Sequence, residues 1–390
     1  MWAAGAVAVT EGPQGSTPTP GWGPLVALAL SLPGLAMAQA ETAPVEGLVG
    51  LKWLDYRDAQ PGLERIRVQS PSALLRTPAV GGFSAEAQAT VDRVSGASPR
   101  YHAAISGASR MSDERRAGEV KITRHMDGQS WTLGMASSSE NDFQSRAASV
   151  RAAWWTPDQN TGWSMTVGLT RDRIGSSDDP SLRERRRTVE AAAQIVQAVS
   201  RQDLVSATVT HARGQGFYSD PYKRPDVRPD SRHQSALGLR WNHHLEGPDI
   251  TLRSAYRFYR DSFGVRSHTL EFEPVFTPRT GWSLAPSVRH YSQRAASFYF
   301  DPVYSYLGAP YPPGFLDSPG IPVSADHRLA GFGAWTVGLK VNWTPAPGWT
   351  VDLKVEHYEQ RAAWRWGGPG SPGLAPLQAR FVQWGLSRRF

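Results

Sequence analysis

The sequence predicts an all-β fold, a closed antiparallel transmembrane β-barrel of about 16 strands (range 14–18). Three observations predict it. Apolar and polar side chains alternate along most of the chain, the connections between the alternating stretches are alternately short and long, and tryptophans gather beside the short connections.

Alternation with a period of two runs from about residue 118 to the end of the chain. It is clearest in residues 163–170, 250–258, 335–343 and 351–356. Because successive side chains of a strand leave on opposite faces, each stretch has one apolar and one polar face. This region predicts about thirteen strands, and three more are expected upstream, at residues 47–57, 63–75 and 83–95.

The connections predict which kind of sheet these strands form. Six are short, at residues 127–128, 157–162, 200–203, 246–249, 277–281 and 345–348. They alternate with mostly longer segments near residues 139–145, 174–184, 212–232, 260–264, 293–326 and 360–376. Tight periplasmic turns and long external loops are typical of outer-membrane barrels, and an even strand number places both termini in the periplasm.

Tryptophans flank the short turns. The predicted aromatic girdle consists of Trp131, Trp154, Trp163, Trp241, Trp282, Trp343 and Trp349. An indole is stable at the headgroup level of a membrane, where its ring is in apolar surroundings and its N–H is hydrated. The alternative is that aromatic residues simply favour strands, but that preference would not place them beside the short turns.

The two ends of the chain carry export features. Residues 24–38 are apolar and end in Ala36-Met37-Ala38, which suits signal peptidase, so we expect a signal peptide over residues 1–38 and one barrel domain over residues 39–390. Residues 1–23 contain no Lys or Arg, which an over-extended start site would explain. The last strand ends on an aromatic residue and matches a barrel-insertion signal at Val382, Trp384, Leu386 and Phe390.

Composition excludes several classes of protein. The chain has no cysteine, which excludes disulfides, thiolate metal sites and cysteine nucleophiles. The mean hydropathy is −0.41, and no apolar run long enough for a membrane helix follows the first forty residues. The formal charge is +7, but the basic residues are spread over strands, so we expect no nucleic-acid partner.

The polar parity of the strands predicts the residues that line the lumen. Its basic candidates are Lys121, Arg151, Arg240, Arg253, Arg257, Arg289, Lys340 and Lys354. With Arg389 they outnumber six acidic residues of the same parity, and basic side chains in a pore favour anions. The alternative is a set of cross-strand salt bridges that only hold the lumen open.

A segment before residue 118 is a candidate plug. It mixes small and charged residues, and its candidate positions are Ser106, Gly107, Met111, Asp113 and Arg115. Such a segment could fold into the lumen, or it could be an external loop with solvated charges. We expect no metal and no cofactor, and no catalytic residues, because the G-x-S-x-G elbow of hydrolases is absent.

One part of the chain resembles a known bacterial family. Residues 105–108 and 111–113 carry the resemblance, together with Gly118, Lys121, Thr123, Arg124, the corner at residues 139–142 and Ser145-Arg146. They are similar to the outer-membrane family catalogued as domain of unknown function 3570. The resemblance implies an outer-membrane barrel without assigned catalytic residues, encoded near periplasmic flavin-attachment and thioredoxin-like proteins.

Taken together, these features predict a channel or uptake pore for small solutes in the Gram-negative outer membrane, weakly anion-preferring. The rival is a non-conducting structural or partner-docking barrel that serves a periplasmic redox or flavin-attachment system. An outer-membrane enzyme comes third. The expected partners are outer-membrane lipid and lipopolysaccharide, the barrel-insertion machinery and a periplasmic protein.

Overall fold

A computed structural model describes residues 43–98, 109–223, 226–301 and 320–390 of the chain. The predicted signal peptide lies outside these residues. The strands are β1 Leu48–Gln60, β2 Leu63–Arg76, β3 Phe83–Ser98, β4 Ser109–Met126, β5 Gln129–Ser139, β6 Phe143–Trp155, β7 Thr161–Ile174, β8 Glu184–Ala198, β9 Asp203–Gly216, β10 Asp226–Val227, β11 Ser231–Leu245, β12 Ile250–Asp261, β13 Arg266–Arg279, β14 Trp282–Arg294, β15 Val323–Ser324, β16 Phe332–Trp343, β17 Trp349–Arg361 and β18 Leu377–Arg389.

Two short 3₁₀ helices complete the described elements: η1 covers His327–Leu329 and η2 covers Ala362–Trp364. No helix in the described part of the chain is long and apolar enough to cross a membrane.

Sixteen of the strands close into one antiparallel barrel, which confirms the predicted fold class and strand number. The order around the barrel is β1-β18-β17-β16-β14-β13-β12-β11-β9-β8-β7-β6-β5-β4-β3-β2. The seam pairs the first strand with the last, from Leu48 opposite Arg389 to Ala59 opposite Gln378. Closure leaves no free sheet edge, as hydrocarbon surroundings require.

The alternation of the sequence becomes the two faces of the barrel wall. Val120, Ile122, Val337, Leu339 and Trp384 point outward and are 45–59% exposed, the exposure expected of side chains that meet acyl chains. The opposite parity points inward and is mostly polar. In the described part of the chain, the two largest clusters of buried apolar residues lie inside one end of the barrel.

We call the two ends of the barrel the turn end and the loop end. The turn end holds all six predicted short turns and both ends of the wall, Leu48 and Arg389. One of its tight turns depends on Gly128, whose φ of 65° suits a residue without a Cβ. The loop end holds the longest connections, but three of its connections are short, at residues 61–62, 140–142 and 262–265.

The structure corrects the boundary of the predicted plug. Met111, Asp113 and Arg115 belong to β4, whose residues 109–124 pair with β3 throughout. They are therefore part of the wall and do not form a plug. Ser106 and Gly107 lie outside the described residues. The sequence obscured this strand because charges occupy both of its faces where it nears the loop end.

Candidate functional site

The inner wall carries all eight basic residues that were predicted to line the lumen. Each has the parity opposite to the exposed apolar residues of its strand: Lys121 lies between Val120 and Ile122, and Lys354 lies between Leu353 and Val355. The structure places the others in the same way: Arg151 on β6, Arg240 on β11, Arg253 and Arg257 on β12, Arg289 on β14 and Lys340 on β16.

Several of these cations are paired with acids on the same wall. Nζ of Lys121 lies 3.1 Å from a carboxylate oxygen of Glu86 and 3.3 Å from one of Glu119. Arg253 contacts Glu273 at 2.9 Å. The acids on β3 and β4 were not among the predicted lumen residues, although their parity could have identified them. The pairs of Lys121 with Glu86 and of Arg253 with Glu273 join adjacent strands, and all three pairs hold the charged side chains against the wall.

Lys354 occupies a different setting near the turn end. It lies 3.2 Å from Glu356 of its own strand, and in the ladder it stands directly opposite Lys340. Two cations at facing positions on the inner wall concentrate positive charge at one side of the lumen.

Two further ion pairs are buried on the inner wall towards the loop end. Nε of Arg186 donates to Asp172 at 2.8 Å, and Nε of Arg115 donates to Asp92 at 2.6 Å. Both pairs join adjacent strands, β7 with β8 and β3 with β4. Buried pairs of this kind are costly to break, because removing one partner leaves an uncompensated charge.

Two loops meet at the loop end and form what we call the closure, residues 217–223, 226–230 and 320–331. Its backbone is joined by the two-stranded sheet of β10 and β15, with Asp226 opposite Ser324 and Val227 opposite Val323. The first loop connects β9 to β11 and the second connects β14 to β16. Both were predicted to be long external loops.

Asp326 is the centre of the closure. Its carboxylate is fully buried and accepts from Nζ of Lys223 at 2.7 Å, from Nη2 of Arg228 at 2.7 Å and from Nε of Arg328 at 2.6 Å. Asp326 belongs to the loop between β14 and β16, whereas Lys223 and Arg228 belong to the loop between β9 and β11. The carboxylate also accepts from the backbone N–H of Arg328, which caps η1. A single acid therefore ties both loops together.

Two more carboxylates complete the charge cluster. Asp226 accepts from Arg228 at 2.6 Å and from the hydroxyl of Ser324 at 2.8 Å, and Asp220 accepts from Arg328 at 2.6 Å. The cluster thus contains three carboxylates and three cations, and each of its arginines is held by two acids. Charge-assisted hydrogen bonds of this geometry are the strong ones.

Burial and neighbouring charges shift the pKa values in the closure. Burial raises the pKa of the Asp326 carboxyl, but the positive charges of Arg328, Lys223 and Arg228 together lower it by more than burial raises it. The pKa of Asp326 is therefore well below its ordinary value. Burial lowers the pKa of the His327 imidazole, and Lys223 lowers it again, so this histidine is neutral at pH 7.

The closure reaches across the mouth of the barrel. On one side, Leu329 packs with Tyr218, Phe263 and Val265 near the loop between β12 and β13. On the other side, Ala330 packs against inward-facing residues of β1, β2, β16, β17 and β18, among them Tyr56. The described part of the closure therefore extends from the loop between β12 and β13 to the inner faces of β1, β2, β16, β17 and β18 at the loop end of the lumen.

The last long loop supports the closure. Ser371 exchanges backbone and side-chain hydrogen bonds with Gly331, each 2.8 Å long, and Leu374 packs in the same apolar cluster as Ala330. From the wall, the amide of Gln293 donates to the carbonyls of Arg328 and Ala330 at 2.8 and 2.9 Å. The residues of the closure were not predicted as functional. The only sequence signal was the density of opposite charges in two loops that are about 100 residues apart.

The predicted girdle residues lie at the turn end and point outward. Trp282 and Trp343 stack with their ring centroids 5.6 Å apart, and Trp154 faces Trp163 in the ladder. The remaining members, Trp131, Trp241 and Trp349, also have the outward parity. Trp155, which directly follows Trp154, points into the lumen.

The predicted insertion signal occupies the seam strand. Val382, Trp384, Leu386 and Phe390 all point outward and are 37–60% exposed. Phe390 exchanges backbone hydrogen bonds with Gly47, which precedes β1. The end of the chain is therefore joined to the beginning of the wall.

Comparisons with known proteins agree with this architecture. The model of a family described as "Protein of unknown function (DUF3570)" matches residues 176–378, downstream of the residues that carry the resemblance in the sequence. No curated protein matches the chain.

Among solved structures, one titled "Bacterial polysaccharide outer membrane secretin" superposes with a TM-score of 0.50 at 8% identity, covering 90% of this chain and 100% of that chain. OccK9 from Pseudomonas aeruginosa has a TM-score of 0.45 at 11% identity, and the match covers 88% of this chain and 98% of that chain. The outer membrane protein opdK of the same organism has a TM-score of 0.44 at 9% identity, and the match covers 88% of this chain and 98% of that chain. The first likeness shows a shared fold, that of an outer-membrane barrel.

Proposed function

The chain belongs to the DUF3570 family of proteins of unknown function, and we propose that it is an outer-membrane channel for small solutes whose outer entrance is covered by two of its own loops. In this proposal the predicted signal peptide exports the chain, the turn end faces the periplasm, and the closure faces the cell exterior.

The observation that carries the proposal is the polar inner wall. Sixteen strands enclose a lumen wide enough for water, as in porins of similar strand number. Charged side chains such as Lys121, Arg253 and Lys354 line it. A wall of this kind favours a water-filled interior, which a purely structural barrel of this size does not require.

Weak anion preference is part of the proposal. Lys340 and Lys354 face each other on the wall, and basic groups at facing positions lower the electrostatic barrier for anions. In a salt gradient across a planar bilayer, the reversal potential of the native protein should show a preference for anions over cations. In the Lys340→Glu/Lys354→Glu variant, the reversal potential should shift in the direction of cation selectivity.

Planar-bilayer recording tests the channel itself. Stepwise currents from purified, correctly inserted protein would support it, and the current should increase when residues 217–230 are replaced by a short Gly-Ser linker. A matched control replaces the exposed residues 157–160 of a turn at the opposite end of the barrel, which are outside the closure. Silence from both the native protein and the opened variant would contradict the channel.

The second candidate is a non-conducting barrel that docks a periplasmic partner, and the closure is the observation that favours it. A lumen covered by a buried ion-pair cluster suits a barrel that is permanently shut. This candidate expects no current from the native protein even where the opened variant conducts, together with capture of a periplasmic protein at the turn end. Stepwise currents from the native protein would exclude it.

A further inference from the structure

The loop end of the outer wall carries arginines where a membrane barrel would be expected to present apolar side chains. Arg146 on β6, Arg171 on β7 and Arg187 on β8 point outward and stand in one row, each directly opposite the next. A second row above it pairs Arg173 with Arg185. We call these five residues the arginine patch.

Like charges at facing positions of a ladder repel each other. Within the described part of the chain, no carboxylate lies within ion-pair distance of any guanidinium of the arginine patch, whereas Arg57, Arg93 and Arg361, which also lie at the loop end, are each paired with an acid. Five unpaired cations on adjacent strands favour the binding of anions from outside the chain.

The patch has the shape of a binding site. A groove of about 340 Å³ is lined by Arg171, Arg173, Arg185 and Arg187 together with Gln215 of the next strand, and also by Asp172 and Arg186, which are paired with each other on the inner face. Planar guanidinium groups bind phosphate in a bidentate manner, and several of them around one groove suit a ligand with more than one phosphate.

On β7 and β8 the surface directly below the groove is apolar, whereas on β9 the exposed Arg213 stands opposite Val189. Leu169 stands opposite Val189, two positions from the lower arginine row, and Val167 and Val209 are 57% and 55% exposed on the same face. A ligand that fits both zones has phosphate groups above and acyl chains below. A soluble phosphate compound would use only the upper zone.

We propose that the arginine patch binds the phosphorylated headgroup of lipid A, the membrane anchor of lipopolysaccharide, while its acyl chains lie along Leu169, Val167 and Val189. The site is separate from the lumen and does not depend on the proposed channel function. It also orients the barrel, because this lipid occupies the outer leaflet and the patch belongs to the loop end.

The same chemistry recurs elsewhere at this end of the wall. Arg260, Arg266 and Arg294 form a row on β12, β13 and β14, each opposite the next. Repetition of an arginine row on a second side of the barrel fits a ligand that surrounds the protein, as a membrane lipid does.

Native mass spectrometry of the full-length, folded protein in detergent tests the site. The test variant is Arg146→Gln/Arg171→Gln/Arg187→Gln, and the matched control is Arg57→Gln/Arg93→Gln/Arg361→Gln, which removes three paired arginines from the same end. Heat modifiability on a gel verifies that each barrel is closed. The test variant should bind bisphosphorylated lipid A about tenfold more weakly or worse, and the control should bind it like the native protein.

Three comparisons identify the ligand. Monophosphorylated lipid A should bind more weakly than the bisphosphorylated form, phosphatidylglycerol more weakly still, and inorganic phosphate should not displace lipid A at millimolar concentration. The lysine variant Arg146→Lys/Arg171→Lys/Arg187→Lys should retain part of the affinity, since it retains the charge. Equal lipid A binding by native protein and glutamine variant would overturn the proposal, as would equal binding of phosphatidylglycerol or displacement by inorganic phosphate.

Discussion

Replacing Asp326 by asparagine should loosen the closure and leave the barrel wall intact. Asp326 is fully buried, and its carboxylate contacts Lys223, Arg228 and Arg328. Asparagine has nearly the same shape but no charge, so the substitution leaves three buried cations with fewer acids. None of the wall's ladder hydrogen bonds involves this residue.

The size of the effect follows from the cost of an uncompensated buried charge. Removing one partner of a buried ion pair costs about 3–5 kcal/mol. We take the lower value, about 3 kcal/mol, because burial already lowers the pKa of the Lys223 ammonium and this group can release its proton. Three kcal/mol corresponds to a roughly hundredfold increase in the population of the open closure.

The thiol-free chain allows a direct assay of opening. Ala330 is 0% exposed, so a cysteine introduced there reacts with a maleimide only when the closure opens. Val45 is 91% exposed and supplies the reference rate for a freely accessible cysteine. The ratio of the two rates should rise about a hundredfold in the Asp326→Asn background.

Asp178→Asn is the matched control, because it removes the same charge from an exposed loop residue and should leave the ratio unchanged. Heat modifiability should be that of the native protein in every variant. An unchanged labelling ratio for Asp326→Asn in a closed barrel would refute the argument that this carboxylate holds the two loops together.

Three further predictions concern the closure and the wall. The closed state keeps His327 neutral and an open state lets it bind a proton, so the closed state should become less stable below about pH 6.5, by up to about 1.4 kcal/mol per pH unit. The labelling rate of the cysteine at Ala330, relative to that of the cysteine at Val45, should rise as the pH falls. His327→Gln should remove this pH dependence. Gly216 has a φ of 120°, and a Cβ there would clash with the carbonyl oxygen of Arg185. Gly216→Ala should therefore displace the start of the first closure loop, destabilise the closed state by about 1–3 kcal/mol and increase labelling of the cysteine at Ala330. Native-like labelling would contradict this. In a double-mutant cycle of Trp282→Ala and Trp343→Ala, urea unfolding in lipid vesicles should give a coupling of about 0.5–1.5 kcal/mol, and zero coupling would contradict the stacking.

The wall could be predicted from the sequence because its cause is local. Side chains of a strand alternate between two environments. The residue types of Lys121 and Val120 are therefore enough to predict which face of the wall each lies on, without knowledge of the rest of the fold. The same reasoning failed for Met111, Asp113 and Arg115. The outer face near the loop end is charged, as Glu114 and Arg116 show, and the contrast between the two faces disappears there.

The closure could not be predicted because its contacts are distant in sequence. Lys223 and Asp326 are 103 residues apart, and nothing near either residue indicates the other. Charged loop segments usually lie in solvent, and only the folded wall brings these two loops over one opening. The arginine patch was also missed, because the register of β6, β7 and β8 determines which arginines become neighbours.

The seam between β1 and β18 has a consequence for how the protein is made. Twelve residues of the first strand of the wall have as partners twelve residues of the strand that is synthesised after all the others of the wall. The wall therefore cannot close while the chain is still being synthesised, and a truncation that removes β18 would expose two unpaired edges at once, on β1 and β17. Biogenesis of this protein must keep the earlier strands from aggregating until β18 has been synthesised.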